Sequence, residues 1–276
     1  KKMCIADVVS PVVNGIYAAP AQYSGGYQFL ATVLFAIQIY CDFSGYSDIA
    51  RGTARIMGFD LMVNFRQPYF ARSLSEFWRG WHISLSTWFR DYLFIPLGGS
   101  RGGESATARN LLIVFTVSGI WHGAAWTFVA WGALHGICLV MERTFVRLAR
   151  PETWLGESAC GILGWVWMMS VVLAGWVFFR STSVVNAVVT LRALGDLHPV
   201  SYFTLKMLGL ASFELAMLAV SLVVLFAIDF HLAFRPQRLQ AVGEMRWLSS
   251  AAGVALAYYI VLFGIFGHAE FIYFQF

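Results

Sequence analysis

The segment from Asn110 to Met141 contains no Asp, Glu, Lys or Arg over 32 consecutive residues, and this length limits how it can fold. One straight helix of that length would extend about 48 Å at about 1.5 Å per residue, whereas the hydrocarbon core of a bilayer is about 30 Å thick. We therefore predict two helical segments with a break near Gly123 to Trp126. Irregular backbone is tolerated inside a membrane only where it lines a cavity or packs on protein, so the break predicts such a place beside His122.

Composition indicates that the rest of the chain lies in a membrane as well. The 276 residues are 59% hydrophobic and 12% charged, with a mean hydropathy of +0.66, whereas a soluble domain is about half apolar and about a quarter charged. Further apolar segments have helical length and lack the alternation of an outer-membrane barrel; they cover residues 27–40, 160–179, 208–228 and 247–267. The net charge of +4 is modest. We predict an all-α integral membrane protein whose partner is the lipid bilayer and not a nucleic acid.

Residues 74–94 are predicted to form a helix of another kind, too charged to lie in lipid. Ser73 and Glu76 have the spacing of a capping box, which starts a helix. The aromatic residues of this helix suit an interfacial or re-entrant position against other helices. A glycine-rich loop at residues 96–103 ends it. No strand is predicted before that loop and no GK[ST] follows it, so the pattern of a phosphate-binding loop is incomplete.

A polar stretch follows the first apolar segment and carries Asp42, Ser44, Tyr46 and Asp48. Carboxylates are costly inside lipid, so they do not continue an ordinary span. Two carboxylates at the end of an apolar run indicate either a helix that enters a wet cavity or a solvated helix end. Both interpretations remain open from the sequence.

Histidine inside an apolar segment also has two interpretations. An ionisable group inside a bilayer marks a functional site by default, and imidazole accepts and returns a proton near neutral pH. His122 is therefore either a functional residue or a neutral core histidine bonded to a neighbouring helix. His82 lies 40 residues earlier and, like His122, follows a tryptophan. His135 falls about 140° from His122 around a continuous helix, so the two need not share a site.

Two longer strings around the histidines, and a third string upstream of them, resemble the membrane-bound O-acyltransferase (MBOAT) family. They read YCDFSGYSDIA at residues 40–50, FWRGWHISLSTWFRDY at 77–92 and GIWHG at 119–123. Three more strings resemble the alginate O-acetyltransferase branch of that family: IPLGG at 95–99, WGALHG at 131–136 and YFQF at 273–276. The resemblance therefore covers essentially the whole chain.

The resemblance implies a multi-helix bundle around a catalytic tunnel, with re-entrant or interfacial helices. Residues 1–276 would be the C-terminal catalytic part of a single membrane domain whose first helices lie upstream. This expectation agrees with a chain that begins Lys1-Lys2 and not with Met. The resemblance also implies a multi-pass protein of the bacterial inner membrane.

The family's invariant histidine falls on His122 and its second polar catalytic position on His82, which implies that these two residues are catalytic. Further candidates for lining the tunnel or contacting substrate are Trp78, Arg79, Trp81, Trp121, His135, Asp42, Ser44, Tyr46 and Asp48. We expect His82 and His122 to lie close together around one buried cavity. Basic residues at Arg66, Arg72 and Arg79 would open it to the cytoplasm and attract an acidic carrier or a phosphate-bearing donor.

The implied reaction moves an acetyl group from a cytoplasmic thioester, acetyl-CoA or an acyl carrier, across the membrane. The acetyl group serves O-acetylation of a cell-envelope or exported polysaccharide, with a periplasmic SGNH-type acetyltransferase as the implied partner. Such a reaction needs a base and an oxyanion donor, and we expect no bound cofactor and no metal. The cysteines are scattered without CxxC spacing and are predicted to be buried thiols; they are Cys4, Cys41, Cys138 and Cys160.

Two other functions remain open. The D-alanyl transferase of teichoic-acid modification shares both histidine strings, although the IPLGG string favours the acetyl branch. A secondary transporter or proton channel with a histidine relay is a hypothesis of a different class. It predicts discontinuous helices repeated in two halves, and the sequence shows no internal repeat.

Overall fold

A computed structural model describes residues 1–149, 151, 156–235, 237 and 246–266, and these residues contain helices and no strand. The described chain divides into two compact units. The first contains residues 1–61 and the described residues from 197 onwards, and the second contains the described residues of 62–196. The expectation of an all-α membrane protein is confirmed.

The first unit begins with a π-helical turn, Lys2–Ala6, that leads directly into α1. Its helices are α1 (Asp7–Ala18), α2 (Gly25–Ile56), α9 (Tyr202–Met207), α10 (Ser212–Phe234) and α11 (Arg246–Phe263). The helices of the second unit are α3 (Leu74–Gly80), α4 (Ile83–Phe89), α5 (Gly103–His122), α6 (Trp126–Ala149), α7 (Glu157–Arg180) and α8 (Val184–Ala193).

Four helices of the described residues, α2, α6, α7 and α10, are long and apolar enough to cross a membrane. The predicted spans at 160–179 and 208–228 correspond to α7 and α10. The predicted last span, 247–267, corresponds to α11, which ends at Phe263; residue 267 lies outside the described residues. The membrane character inferred from composition therefore has matching helices in both units.

The first predicted span is longer than the sequence pattern indicated, because α2 continues through the polar stretch to Ile56. Ion pairs make this continuation possible. Lys2 Nζ lies 2.7 Å from a carboxylate oxygen of the buried Asp42 and 3.1 Å from one of Asp7. Farther along α2, Asp48 pairs with Lys1 at 2.8 Å. A paired carboxylate costs much less to bury than a lone one, so the helix need not end at the first charge.

The predicted break in the uncharged segment is confirmed, since α5 ends at His122 and α6 begins at Trp126. The two helices then pack closely at glycines. A Cβ on Gly119 would overlap the carbonyl oxygen of Phe128, and one on Gly132 would overlap that of Phe115. Small residues allow the backbones of membrane helices to approach, and this approach fixes the end of α5 against α6.

The prediction of one helix over 74–94 is wrong. The chain instead forms α3, a break at Trp81 and His82, α4, and a π-helical turn at Arg90–Phe94. His82 has a φ of 45°, in the left-handed region, which an α-helix cannot contain. The break turns the chain at the residue that the family resemblance singles out.

Candidate active site

His82 and His122 line the same cavity in the second unit, which has a volume of about 260 Å³. One wall is a stripe of α5 residues at helical spacing, Leu111, Val114, Phe115, Ser118 and His122. The opposite walls come from α3, α4 and the turns that follow them, with Leu139 of α6 closing the lining. The cavity therefore brings together two histidines that are 40 residues apart in the sequence.

His122 is the last residue of α5, and aromatic rings surround its imidazole. The ring centroids of Trp131 and Phe179 lie 5.0 Å and 5.2 Å from that of His122, both edge to face. Trp121 packs at 5.0 Å on another side. Charged side chains are absent from these ring contacts, so an apolar wall favours the neutral imidazole, the form that accepts a proton.

His82 lies at the N-terminus of α4, in the break between two short helices that are not candidate membrane spans. Burial lowers the pKa of its imidazole to about 4, so the side chain is neutral near pH 7. A left-handed backbone at a residue other than glycine costs about 1–3 kcal/mol. Such strain persists only where surrounding contacts hold it, and it collects at functional sites.

The start of α3 is held by two carboxylates and a hydroxyl. Ser73 Oγ accepts a hydrogen bond from the Glu76 N–H at 3.0 Å, which is one half of the predicted capping box. The Glu76 carboxylate accepts from the Arg72 N–H at 2.7 Å and not from Ser73. Glu142 of α6 accepts from the N–H groups of Leu74 and Ser75, at 2.8 Å and 3.2 Å. These bonds satisfy N–H groups that have no partner within the helix.

Trp81 forms the wall behind the break and is buried. Its ring stacks on that of Phe77 with centroids 5.5 Å apart, and meets the ring of Phe65 edge to face at 5.1 Å. Trp176 of α7 packs at 5.0 Å on the remaining side. Trp81 is therefore packed between large rings beside His82.

Two arginines line the cavity, and one of them, Arg79, was predicted from the sequence. Arg79 lines it and donates to the backbone oxygen of Ser75 at 3.2 Å. Arg90, which sequence reasoning missed, lines it as well and pairs with Asp91 at 2.7 Å. The other two predicted basic residues, Arg66 and Arg72, are not among the lining residues of this cavity.

The remaining tryptophan and histidine candidates divide into lining and supporting positions. Trp78 and Trp81 line the cavity. His135 does not; it is buried with the rings of Trp78 and Trp131 at 5.0 Å and 5.1 Å. Trp121 is exposed and is not a lining residue, but its ring lies 6.4 Å from that of His82. Their functional roles stay predictions.

The polar candidates Asp42, Ser44, Tyr46 and Asp48 belong to the first unit. There Asp42 and Ser44 are buried, whereas Tyr46 and Asp48 are exposed. Their predicted role in lining a tunnel stays a prediction.

The described residues contain no group of three or more His, Cys, Asp or Glu side chains that could hold a metal ion. All four cysteines are free. Three of them are buried as predicted, and Cys160 is partly exposed.

Besides Arg90, three residues that form or support the site were not identified from the sequence. Ser118 lies four positions before His122 on α5 and could have been found from helical spacing alone. Asn64 and Glu142 could not, because each acts on a helix that is distant in sequence. Their contacts depend on how the elements pack, which no local pattern reports.

Comparison with known proteins shows which family the sequence resembles. The model of the membrane-bound O-acyltransferase family matches residues 5–185, which include both histidines. The chain is 42% identical over 228 residues to the probable alginate O-acetylase AlgI of Azotobacter vinelandii, covering 82% of this chain and 44% of that protein. It is 37% identical over 201 residues to the peptidoglycan O-acetyltransferase of Helicobacter pylori, covering 73% and 38%.

A teichoic acid D-alanyltransferase of Streptococcus thermophilus is also similar, with 33% identity over 159 residues, 53% of this chain and 38% of that protein. The chain spans less than half the length of each of these relatives. The similarity to the acetyl-transferring relatives is both higher and longer than the similarity to the D-alanyl-transferring one.

Proposed function

Because the chain belongs to the membrane-bound O-acyltransferase family, we propose that it carries the active site of a membrane O-acetyltransferase. The protein moves an acetyl group from a thioester to an alcohol, for O-acetylation of a cell-envelope or exported polysaccharide. The observation that carries the proposal is the cavity shared by His82 and His122. The relatives named as alginate O-acetylase and peptidoglycan O-acetyltransferase support the class of acceptor.

The proposed chemistry needs one base and one hydrogen-bond donor. His122, neutral among aromatic rings, takes the proton of the acceptor hydroxyl while the oxygen attacks the thioester carbonyl. His82 donates a hydrogen bond to the oxyanion that forms on the carbonyl oxygen. The carbon–sulfur bond then breaks, and the leaving thiolate takes back the proton from His122. The apolar lining excludes water, which would otherwise hydrolyse the thioester.

The donor of this reaction is proposed to be acetyl-CoA or an acetylated acyl carrier from the cytoplasm. Both end in a flexible arm that bears a phosphate group. Arg79 lines the cavity and supplies positive charge for such an arm, whereas the charge of Arg90 is shared with Asp91. We further propose a location in the bacterial inner membrane and a periplasmic SGNH-type acetyltransferase as the partner that receives the acetyl group.

Transfer of a D-alanyl group to teichoic acid is the second candidate, since the Streptococcus thermophilus relative bears that name. An acetyl group is favoured, because the alginate O-acetylase relative matches 82% of this chain against 53% for the D-alanyltransferase. A D-alanyl group carries an ammonium, which a carboxylate in the cavity would stabilise. The lining residues include His and Arg but no Asp or Glu.

A donor comparison in membranes that carry the protein tests the proposal. Radiolabelled acetyl thioester and D-alanyl thioester are supplied in parallel, and base-labile label in the polymer fraction is counted. The proposal expects label from the acetyl donor only. Label from the D-alanyl donor alone would establish the second candidate. Proton flux across the membranes with label from neither donor would favour a transporter.

A further inference from the structure

The strained break at His82 is bonded to the segment 64–66, which has no part in the chemical steps proposed above. Among the described residues, Gln67 and His82 are the non-glycine residues with a left-handed backbone. The segments that carry them are bonded to each other. The N–H of Arg66 donates to the carbonyl of Gly80 at 2.9 Å, immediately before the break. Two more hydrogen bonds, both to Asn64, follow immediately after it.

Asn64 accepts both of these bonds from the first residues of α4. Its backbone carbonyl accepts from the N–H of Ile83 at 3.0 Å. Its side-chain oxygen Oδ1 accepts from the N–H of Ser84 at 3.1 Å. The first N–H groups of a helix have no partner within it, so one asparagine satisfies two of them from a distant part of the chain.

His82 occupies the position that normally supplies this cap. A capping residue has extended backbone and turns its own side-chain oxygen back to the second or third N–H of the helix. His82 has a left-handed backbone and makes no side-chain cap hydrogen bond. Its carbonyl still accepts the first helical bond, from Ser86 N–H at 3.0 Å. With the cap supplied by Asn64, the imidazole of His82 is directed into the cavity.

We propose that Asn64 is a positioning residue for His82: it caps α4 in place of His82 and so holds the imidazole in the cavity. This inference rests on the proposed function, because the role of His82 as oxyanion donor comes from it. A donor displaced by about 1 Å can lose about 100-fold in rate. Asn64 therefore acts on the chemical step and not on capture of the thioester.

Matched variants distinguish the contribution of the Asn64 side-chain oxygen from that of the Asn64 backbone carbonyl. Asn64→Ala removes Oδ1 but keeps the backbone carbonyl that bonds Ile83. Asn64→Asp keeps an oxygen acceptor, and its charge is favourable at a helix N-terminus. Asn186→Ala is the control, because that side-chain amide donates to Thr182 Oγ1, just before the start of α8, and not to the break.

The experiment measures acetyl-transfer kinetics together with hydrogen exchange at the amides of Ile83 and Ser84. In Asn64→Ala we expect kcat to fall about 10- to 100-fold with the KM for the acetyl donor unchanged, and exchange at the Ser84 amide to be faster. Asn64→Asp should restore most of both properties, and Asn186→Ala should match the wild type. Equal loss in Asn64→Asp and Asn64→Ala, or a change in KM with kcat unchanged, would overturn the inference.

The exchange measurement also separates this inference from the proposed function. If the wild type transfers no acetyl group, the proposed function fails whatever Asn64 does. If the wild type is active but exchange at Ser84 is the same in Asn64→Ala, Asn64 does not hold the break and the inference fails alone.

Discussion

Glu142, in the second half of α6, accepts a hydrogen bond from the backbone N–H of Leu74, the first residue of α3, at 2.8 Å. Its other carboxylate oxygen accepts from Ser75 N–H at 3.2 Å. One side chain thus attaches α3, which carries the cavity residues Trp78 and Arg79, to a candidate membrane span. The negative charge also suits the positive end of the helix.

Removing this attachment is expected to destabilise the second unit. Glu142→Ala leaves two N–H groups without their acceptor, and loss of a helix cap costs about 0.5–2 kcal/mol. Glu142→Gln keeps one acceptor oxygen and should lose less. Thermal unfolding in detergent measures both, with the exposed Asp60→Asn as a control. A Tm for Glu142→Ala equal to that of the wild type would show that the bonds contribute nothing.

Substitutions at His82 should separate hydrogen bonding from proton transfer. Asn tolerates a left-handed backbone and keeps a hydrogen-bond donor, whereas Ala keeps neither property. We therefore expect His82→Asn to retain part of the acetyl-transfer rate and His82→Ala to lose about 100- to 1000-fold, as for loss of an oxyanion donor. If both variants fold and are equally inactive, His82 carries a proton instead.

Stability should fall at mildly acidic pH because of His82. Burial lowers the pKa of its imidazole to about 4 in the folded protein, against about 6.5 in an unfolded chain. The unfolded state therefore binds more protons between about pH 4 and about pH 6.5, and the free energy of unfolding falls as the pH falls through this range. The drop in Tm from about pH 7 to about pH 5 should be smaller in His82→Asn. An equal drop in both proteins would contradict this origin.

Close packing of α5 on α6 should be sensitive to a single methyl group. A Cβ on Gly119 would meet the Phe128 carbonyl oxygen, so Gly119→Ala must separate the helices. We expect destabilisation of about 1–3 kcal/mol, as for overpacking, with reduced acetyl transfer because His122 ends α5. Gly52→Ala is the control, since Gly52 lies in α2 with nothing within 4 Å of an added Cβ. A similar Tm in Gly119→Ala would show that the helices adjust freely.

The sequence predicted the features that depend on length and hydropathy. A segment of uncharged residues too long for one span had to break, and it breaks between His122 and Trp126. The spans α7 and α10 follow from apolar runs of helical length in the same way. The α5 residues that line the cavity also follow helical spacing. Ser118 could therefore have been predicted to lie on the same face as His122.

Features that depend on contacts between distant residues were not predictable. The segment 74–94 has helical composition, yet it breaks at His82, where Asn64 and Arg66 bond the residues on either side. The helix α2 passes its first carboxylate because Lys2 lies against Asp42. In both cases the length of a helix depends on tertiary hydrogen bonds or ion pairs. Local helix propensity does not report these contacts.

The most direct test of the account is the rate of acetyl transfer by His122→Gln compared with the wild type, at equal protein level in the membrane. Gln keeps hydrogen-bonding groups but cannot accept a proton near neutral pH. Loss of a general base costs about 100- to 10,000-fold. We predict that base-released acetate from the polymer falls by at least about 100-fold while membrane insertion and Tm are unchanged. Acetylation within about threefold of the wild type, well short of the loss expected on removing a general base, would contradict a role for His122 as the base.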